Sequence, residues 1–309
     1  MGAPLYSQYA STIKKVIPEK TDVHGYADDH AIKKEYEVSD ITYTEPEAIT
    51  SIKNTLPEIK TWMDLNRLQM NDSKTEFIVF GSKRHLKKVT INTINVNKCD
   101  IKKSSVIRYL GVLLDESLNL KEFIKAKCKT ANFHLYLLRR IHQYLTIDSA
   151  KIVALGMVIS HLDYANSILI GLPKTEIQKL QRIQNMTAKV VLKKQIHSSS
   201  TEALKELHWL PIHLRIKYKI CSIMYNCRQG NAPEYLKSLL TKRNAKRSGL
   251  RSHNDTDYDI PICKNKTFAD RSFSVQGPKL WNELPKSLKT ATSVDVFKKE
   301  LKTHLFYQF

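Results

Sequence analysis

The sequence predicts an α+β protein in which strands gather toward the beginning and helices fill the rest. Two observations carry this. Up to about residue 115, short β-branched runs are bounded by Gly, Asn, Asp and Ser, with one long helical pattern among them. From about residue 119 the apolar period becomes helical. A third observation concerns charge. Residues 1–80 carry 9 Lys and Arg against 13 Asp and Glu, a net of −4, whereas 81–309 carry 41 against 17, a net of +24. The expected regions are 1–115, 116–195 and 196–309.

The first strand pair is expected in Val23-His24-Gly25-Tyr26-Ala27-Asp28-Asp29-His30-Ala31-Ile32, with Asp28 and Asp29 at the tip of a hairpin. Residues 44–70 read as a helix. Thr44 and Glu47 suit a capping box, Pro46 suits the first turn, and Ile49, Ile52, Leu56, Ile59 and Met63 keep helical spacing. Pro57 inside this pattern is expected to kink or break it. After the turn Asn71-Asp72-Ser73 come Lys74 and a strand at 76–80, bounded by Gly81-Ser82. Residues 89–97 and 106–114 read as strands, the second interrupted by Gly111.

The remainder reads as helices. Residues 121–142 set Phe123, Ile124, Ala131, Leu135, Leu138 and Ile141 at helical steps, with Lys121, Lys125, Lys127, Lys129, Arg139 and Arg140 over much of the rest. Residues 147–170 are apolar round the circumference, which predicts a buried helix ended by Gly171-Leu172-Pro173. In 174–194, Ile177, Leu180, Ile183, Ala188 and Val191 make the inward stripe. Lys179, Arg182, Lys189, Lys193 and Lys194 are then expected on exposed ground. A polar linker at 195–200 precedes helices at 201–208 and 212–228, around a Trp209-Leu210-Pro211 corner where Trp209 reads as a core anchor. The run Thr241-Lys242-Arg243-Asn244-Ala245-Lys246-Arg247-Ser248 is basic and expected to be exposed. Residues 249–276 show few periodic signals, and a last helix is expected at 293–306.

Composition excludes several classes. No run of about 18 apolar residues is present, so no membrane span is expected. No basic start followed by an apolar run marks a secretory signal. Cys99, Cys128, Cys221, Cys227 and Cys263 are scattered and odd in number, which suits a reducing intracellular compartment. Cys221 and Cys227 lie in an apolar pattern and read as core thiols rather than zinc ligands. There is no Gly-rich phosphate loop, HExxH or GxSxG. A net charge of +20 points to a polyanion, nucleic acid first, with an anionic membrane surface or a ribosomal role as competing readings. Lys179, Arg182, Lys189, Lys193 and Lys194, with Lys242, Arg243, Lys246 and Arg247, are the expected phosphate contacts. A solvated basic face is the plainer alternative. The run 241–248 also has the composition of a nuclear-import patch.

Adjacent carboxylates repel each other unless a cation or solvent intervenes. Mg²⁺ commonly takes one or two carboxylates plus substrate phosphates. Asp28 and Asp29 suit that chemistry, and an acidic surface turn would use the same two residues.

Tyr26-Ala27-Asp28-Asp29 resembles the catalytic box of reverse transcriptases, especially those of non-LTR, LINE-type retrotransposons. Trp62-Met63-Asp64-Leu65-Asn66-Arg67-Leu68-Gln69-Met70-Asn71-Asp72-Ser73-Lys74-Thr75-Glu76-Phe77 is similar to the next box of that family. Ile107-Arg108-Tyr109-Leu110-Gly111-Val112-Leu113-Leu114-Asp115 looks like its primer-grip strand pair. His161-Leu162-Asp163-Tyr164-Ala165-Asn166-Ser167 and Gly277-Pro278-Lys279-Leu280-Trp281-Asn282-Glu283-Leu284-Pro285 are similar to C-terminal stretches of CR1- and jockey-like elements. These stretches follow the family's order along nearly the whole chain.

The resemblance implies a partial palm at 1–115, then a mostly α-helical thumb and C-terminal region. It implies RNA-directed DNA polymerisation with an RNA template, a DNA primer or target and deoxynucleoside triphosphates, in the nucleus. Asp28 and Asp29 would bind Mg²⁺ or Mn²⁺. Tyr26, Ala27 and Gly111 would neighbour the nucleotide or primer, and Lys74 would protonate the leaving pyrophosphate or contact phosphate. The sequence departs from the family at His30, where a small hydroxyl residue is frequent, and at Ala165, where Cys is common. The family's other metal-binding Asp sits on an earlier strand. Here only Glu19 and Asp22 precede Asp28 as acids, both close to the hairpin. The expectation is a C-terminal fragment that is catalytically incomplete alone. The alternative is a non-catalytic nucleic-acid-binding remnant of a retroelement.

Overall fold

Two units, Met1–Asn119 and Leu120–Phe309, make up the chain in a computed structural model. It describes residues 9, 12, 13, 17, 21–27, 29–37, 44–69, 71, 74–96, 99–243, 256–263 and 269–309. The mixed α and β character expected from the sequence is present.

The sheets of the first unit are antiparallel strand pairs. β1 (Asp22–Tyr26) pairs with β2 (Asp29–Lys33), and Tyr26 lies opposite Asp29. The connection therefore starts at Ala27, whose φ of 53° is left-handed. Two-residue connections with positive φ match the twist of paired strands. Asp29 is thus the first residue of β2 and not part of the tip as the sequence suggested. Asp28 lies outside the described residues.

α1 (Glu45–Leu65) has Pro46 in its first turn and acids at Glu45 and Glu47, where the helix dipole favours them. It ends at Leu65, short of residue 70, where Asn66 donates back to the Trp62 carbonyl and Arg67 turns left-handed. Pro57 does not break it. The ring faces solvent, and one missing backbone donor is tolerated. The expected capping box is not formed. The Thr44 hydroxyl accepts from the Glu37 amide, and the buried Glu45 accepts from the amides of Thr90 and Ile91 at 3.2 and 3.0 Å. That clamp fixes the start of α1 to the chain leading into β3 (Thr93–Val96).

β3 pairs with β4 (Cys99–Lys102), and β5 (Val106–Tyr109) with β6 (Val112–Asp115). Leu110 and Gly111 form the β5–β6 turn with φ of 46° and 76°, which is why Gly111 interrupts the expected strand. Residues 76–80 are not a strand. Phe77 makes an isolated parallel bridge to Lys103, just beyond the end of β4, and the neighbouring edge goes no further. Ile59 and Trp62 of α1 bury against Ile13, and Leu56 buries against Ile94 and Val96. Ile32 of β2 packs on both clusters and seats the first hairpin.

The second unit is helical. α2 (Lys121–Ile141) packs on α4 (Lys174–Val191), and α4 on α5 (Ser200–Glu206). Between α2 and α4, α3 (Ile147–Ala154) runs into a π-helical turn, Leu155–Ile159, and a last turn, Ser160–Asp163. This segment is not buried all round: Ile147, Ile152 and Leu155 are exposed. It stops before 170 because Ala165 turns left-handed and the Lys127 ammonium takes the carbonyls of His161 and Tyr164. A helix end leaves such acceptors unpaired, and a buried cation satisfies them. Lys127, read as a surface charge, is therefore inside.

α6 (Ile212–Arg228) carries the other half of the core, with α7 (Phe273–Asn282) and α8 (Val294–Phe306) packed on it. Trp209, Cys221 and Cys227 are buried as expected. α7 begins within the stretch read as irregular, because Gly277 and Pro278 disguise its period. Gly277 is a contact glycine: a Cβ there would lie 2.7 Å from the Met224 sulfur. Trp281 donates to the Thr256 carbonyl, and Asn282 bonds both the amide and the carbonyl of Tyr258. No helix among the described residues is long and apolar enough to cross a membrane.

Candidate nucleic-acid interface

α2 and α4 enclose a groove of about 750 Å³. A row on α2 lines it at steps of three and four: Lys121, Lys125, Cys128, Asn132, Tyr136 and Arg139. Such steps keep side chains on one helix face. α4 contributes Lys179, Arg182, Ile183 and Met186. Five basic side chains thus surround a floor that is partly apolar.

Their pairing differs. Lys179 is bound to Glu176 at 2.7 Å, and Lys125 sits 3.7 Å from Glu122. The Lys125 pair is exposed and contributes little, whereas the buried Glu176 holds the Lys179 ammonium with both its oxygens. Arg139 and Arg182 carry no ion pair among the described residues, so their charge is open to a ligand. Tyr136 is 54% exposed, with the Arg140 guanidinium 5.9 Å from its ring centroid and donating to its hydroxyl at 3.3 Å.

Of the basic residues expected to contact phosphate, Lys179 and Arg182 line the groove. Lys189 does not stand on exposed ground. It is buried, and its ammonium donates to the Ile196 carbonyl at 2.6 Å. That carbonyl lies past the helix end and has no helical donor, so the lysine folds inward to satisfy it. Lys194 pairs with Glu206 at 2.5 Å, and Lys193 is exposed in the left-handed turn after α4. Lys242 is exposed and lines a separate recess of about 450 Å³ with Arg228 and Lys289. Arg243 is flanked by Asp257 and Asp259 at 3.7 and 3.5 Å, which spends its charge inside the protein. Lys246 and Arg247 lie outside the described residues. Sequence reasoning placed Lys121, Lys125 and Arg139 on a helix surface without making them site residues. Their spacing with Tyr136 was the available signal.

In the first unit, Tyr26 and Asp29 are exposed on the β1–β2 hairpin, and the His30 ring covers Gly25, where a Cβ would come within 3.3 Å of it. Burial pushes the Tyr109 phenol above its ordinary pKa, and the Asp29 carboxylate adds to that push. Tyr109 ends β5, just before the Leu110-Gly111 turn. Lys74 is exposed on a turn closed by its amide and the Asn71 carbonyl, and no bond of its ammonium is seen among the described residues.

Asp29 offers hard oxygen donors of the kind Mg²⁺ accepts. Among the described residues, however, no group of three His, Cys, Asp or Glu side chains stands ready to hold a metal. The chain matches no family model, no curated protein and no solved structure.

Proposed function

We propose that this protein binds nucleic acid through its phosphates, seated in the groove between α2 and α4. The observation that carries this is the convergence of Lys121, Lys125, Arg139, Lys179 and Arg182 from two helices onto one channel. Lys and Arg side chains displace counterions from a phosphate backbone, so log affinity falls linearly with log salt. Binding of a labelled oligonucleotide, followed by fluorescence anisotropy over a salt series, tests it. The expected line is steep. Arg139→Glu with Arg182→Glu should flatten its slope by about 2, at one contact each. Flat salt dependence, or no binding at low salt, overturns the proposal. Lys189→Glu is the wrong probe, because it would set a buried carboxylate against the Ile196 carbonyl in place of a donor.

A second reading is favoured by the family resemblance and by the Asp29 carboxylate acting electrostatically on the Tyr109 phenol. In it the chain belongs to an RNA-directed DNA polymerase, the groove holds primer and template, and deoxynucleoside triphosphates approach the hairpin. Mg²⁺ would take oxygens from Asp28 and Asp29 and its other ligands from water and substrate phosphates, supplying charge neutralisation for phosphoryl transfer. Lys74 would offer a proton or a phosphate contact. Extension of a DNA primer on an RNA template, lost in Asp29→Asn, supports this reading. Absence of extension, with salt-linked binding retained, leaves the non-catalytic binder. The basic run 241–248 supports a nuclear location.

A further inference from the structure

We infer that the groove takes a single strand rather than a duplex, with Tyr136 as a stacking platform for an unpaired base; this rests on the nucleic-acid reading above. Salt-linked phosphate contacts alone do not require an aromatic ring. Yet the groove contains one, half exposed, on the same helix face as Lys121, Lys125 and Arg139. Beside it lie Leu135 and Ile183, both nearly buried, and Met186, so the floor around the ring is apolar. A flat apolar surface between cations suits the face of a base whose phosphates lie on the rim. This pairing of a basic track with an aromatic step is the general chemistry of single-strand binding.

Arg140 completes the arrangement. Its guanidinium sits 5.9 Å from the ring centroid and donates to the phenol oxygen, which limits rotation of the ring and adds positive charge next to it. Bases inside a duplex are already stacked on their neighbours and reach such a ring only at an end or after unstacking, which is costly. Packed helices have axes about 8–10 Å apart, so a cleft between their surfaces is narrow. A duplex would touch only the basic rim. Phe133 supplies an internal control, since it is on α2 and exposed but does not line the groove.

The test uses the full chain and four labelled probes about 12 nucleotides long, within the usual single-strand site size. They are oligo(U), oligo(dT), and an RNA and a DNA duplex of the same length, all followed over one shared salt series. Both single strands should bind about ten-fold tighter than the duplexes. Tyr136→Ala should lose about ten-fold on the single strands, less than two-fold on the duplexes, and leave the salt slope unchanged. Tyr136→Phe should bind like the natural protein, which separates stacking from the Arg140 hydrogen bond, and Phe133→Ala should change nothing. Duplex binding as tight as single-strand binding, or a neutral Tyr136→Ala, overturns this inference while leaving salt-linked phosphate binding intact. Failure of all four probes to bind at low salt overturns both.

Discussion

Lys127 shows how one residue changes meaning between sequence and structure. By pattern it belongs to a basic helix surface, but its ammonium lies 4.9 and 5.8 Å from the ring centroids of Phe123 and Tyr164 and binds backbone carbonyls. Burial lowers its pKa to about 8, with Asp163 and Cys128 acting in the opposite direction. The unfolded chain holds that proton up to about pH 10.5, so between pH 8 and 10.5 the unfolded state binds more protons than the folded one. The cost of burying the charge is fully present below pH 8 and is relieved as pH rises through this window. Urea midpoints of the natural protein and of Lys127→Met should diverge accordingly. The natural protein should gain on the order of 2 kcal/mol on the variant between pH 8 and 10. Parallel pH profiles would place the ammonium in water. The carboxylate of Asp163 is also tied into this region, through a two-pronged pair with Arg215.

Among the elements, α6 and α7 show what a short motif is for. The stretch around Gly277 and Trp281 was read as a family likeness, and its physical content is packing. Gly277 admits Met224, and Trp281 meets Tyr258 edge-on and Phe297 at a tilt. Gly277→Ala should destabilise the second unit by about 1–3 kcal/mol through overpacking, with Met224→Ala in the same chain recovering part of the loss. Additive losses in thermal or urea unfolding would disprove the contact. Long helices with regular stripes, 45–65, 121–141 and 212–228, were legible to within a few residues because period and burial agree there. The 147–163 segment was misread because apolar composition does not reveal a π-turn or which side faces solvent. The 76–80 strand failed because pairing depends on a neighbouring edge that sequence does not show. The groove was half legible: Lys179 and Arg182 were found, whereas the α2 side emerged only when both helices stood together.

Across the whole molecule the charge is divided between the two units. Residues 1–119 carry 17 basic against 16 acidic side chains, and 120–309 carry 33 against 14. The positive excess thus resides in the second unit, and the first is nearly neutral. Of β1 and β2, Ile32 is the residue that joins both core clusters, and the strands have no third partner among the described residues. Such a ribbon is free to lift away while α1 and β3 stay packed, at far less than the cost of global unfolding. In hydrogen–deuterium exchange its amides should therefore trade within the earliest time points and respond weakly to added urea, while amides of α2 and α4 persist and follow the full denaturant slope. The acidic pair would then work, or rest, on a latch with one pin, and trimming Ile32 to Ala should loosen the latch without melting the unit behind it.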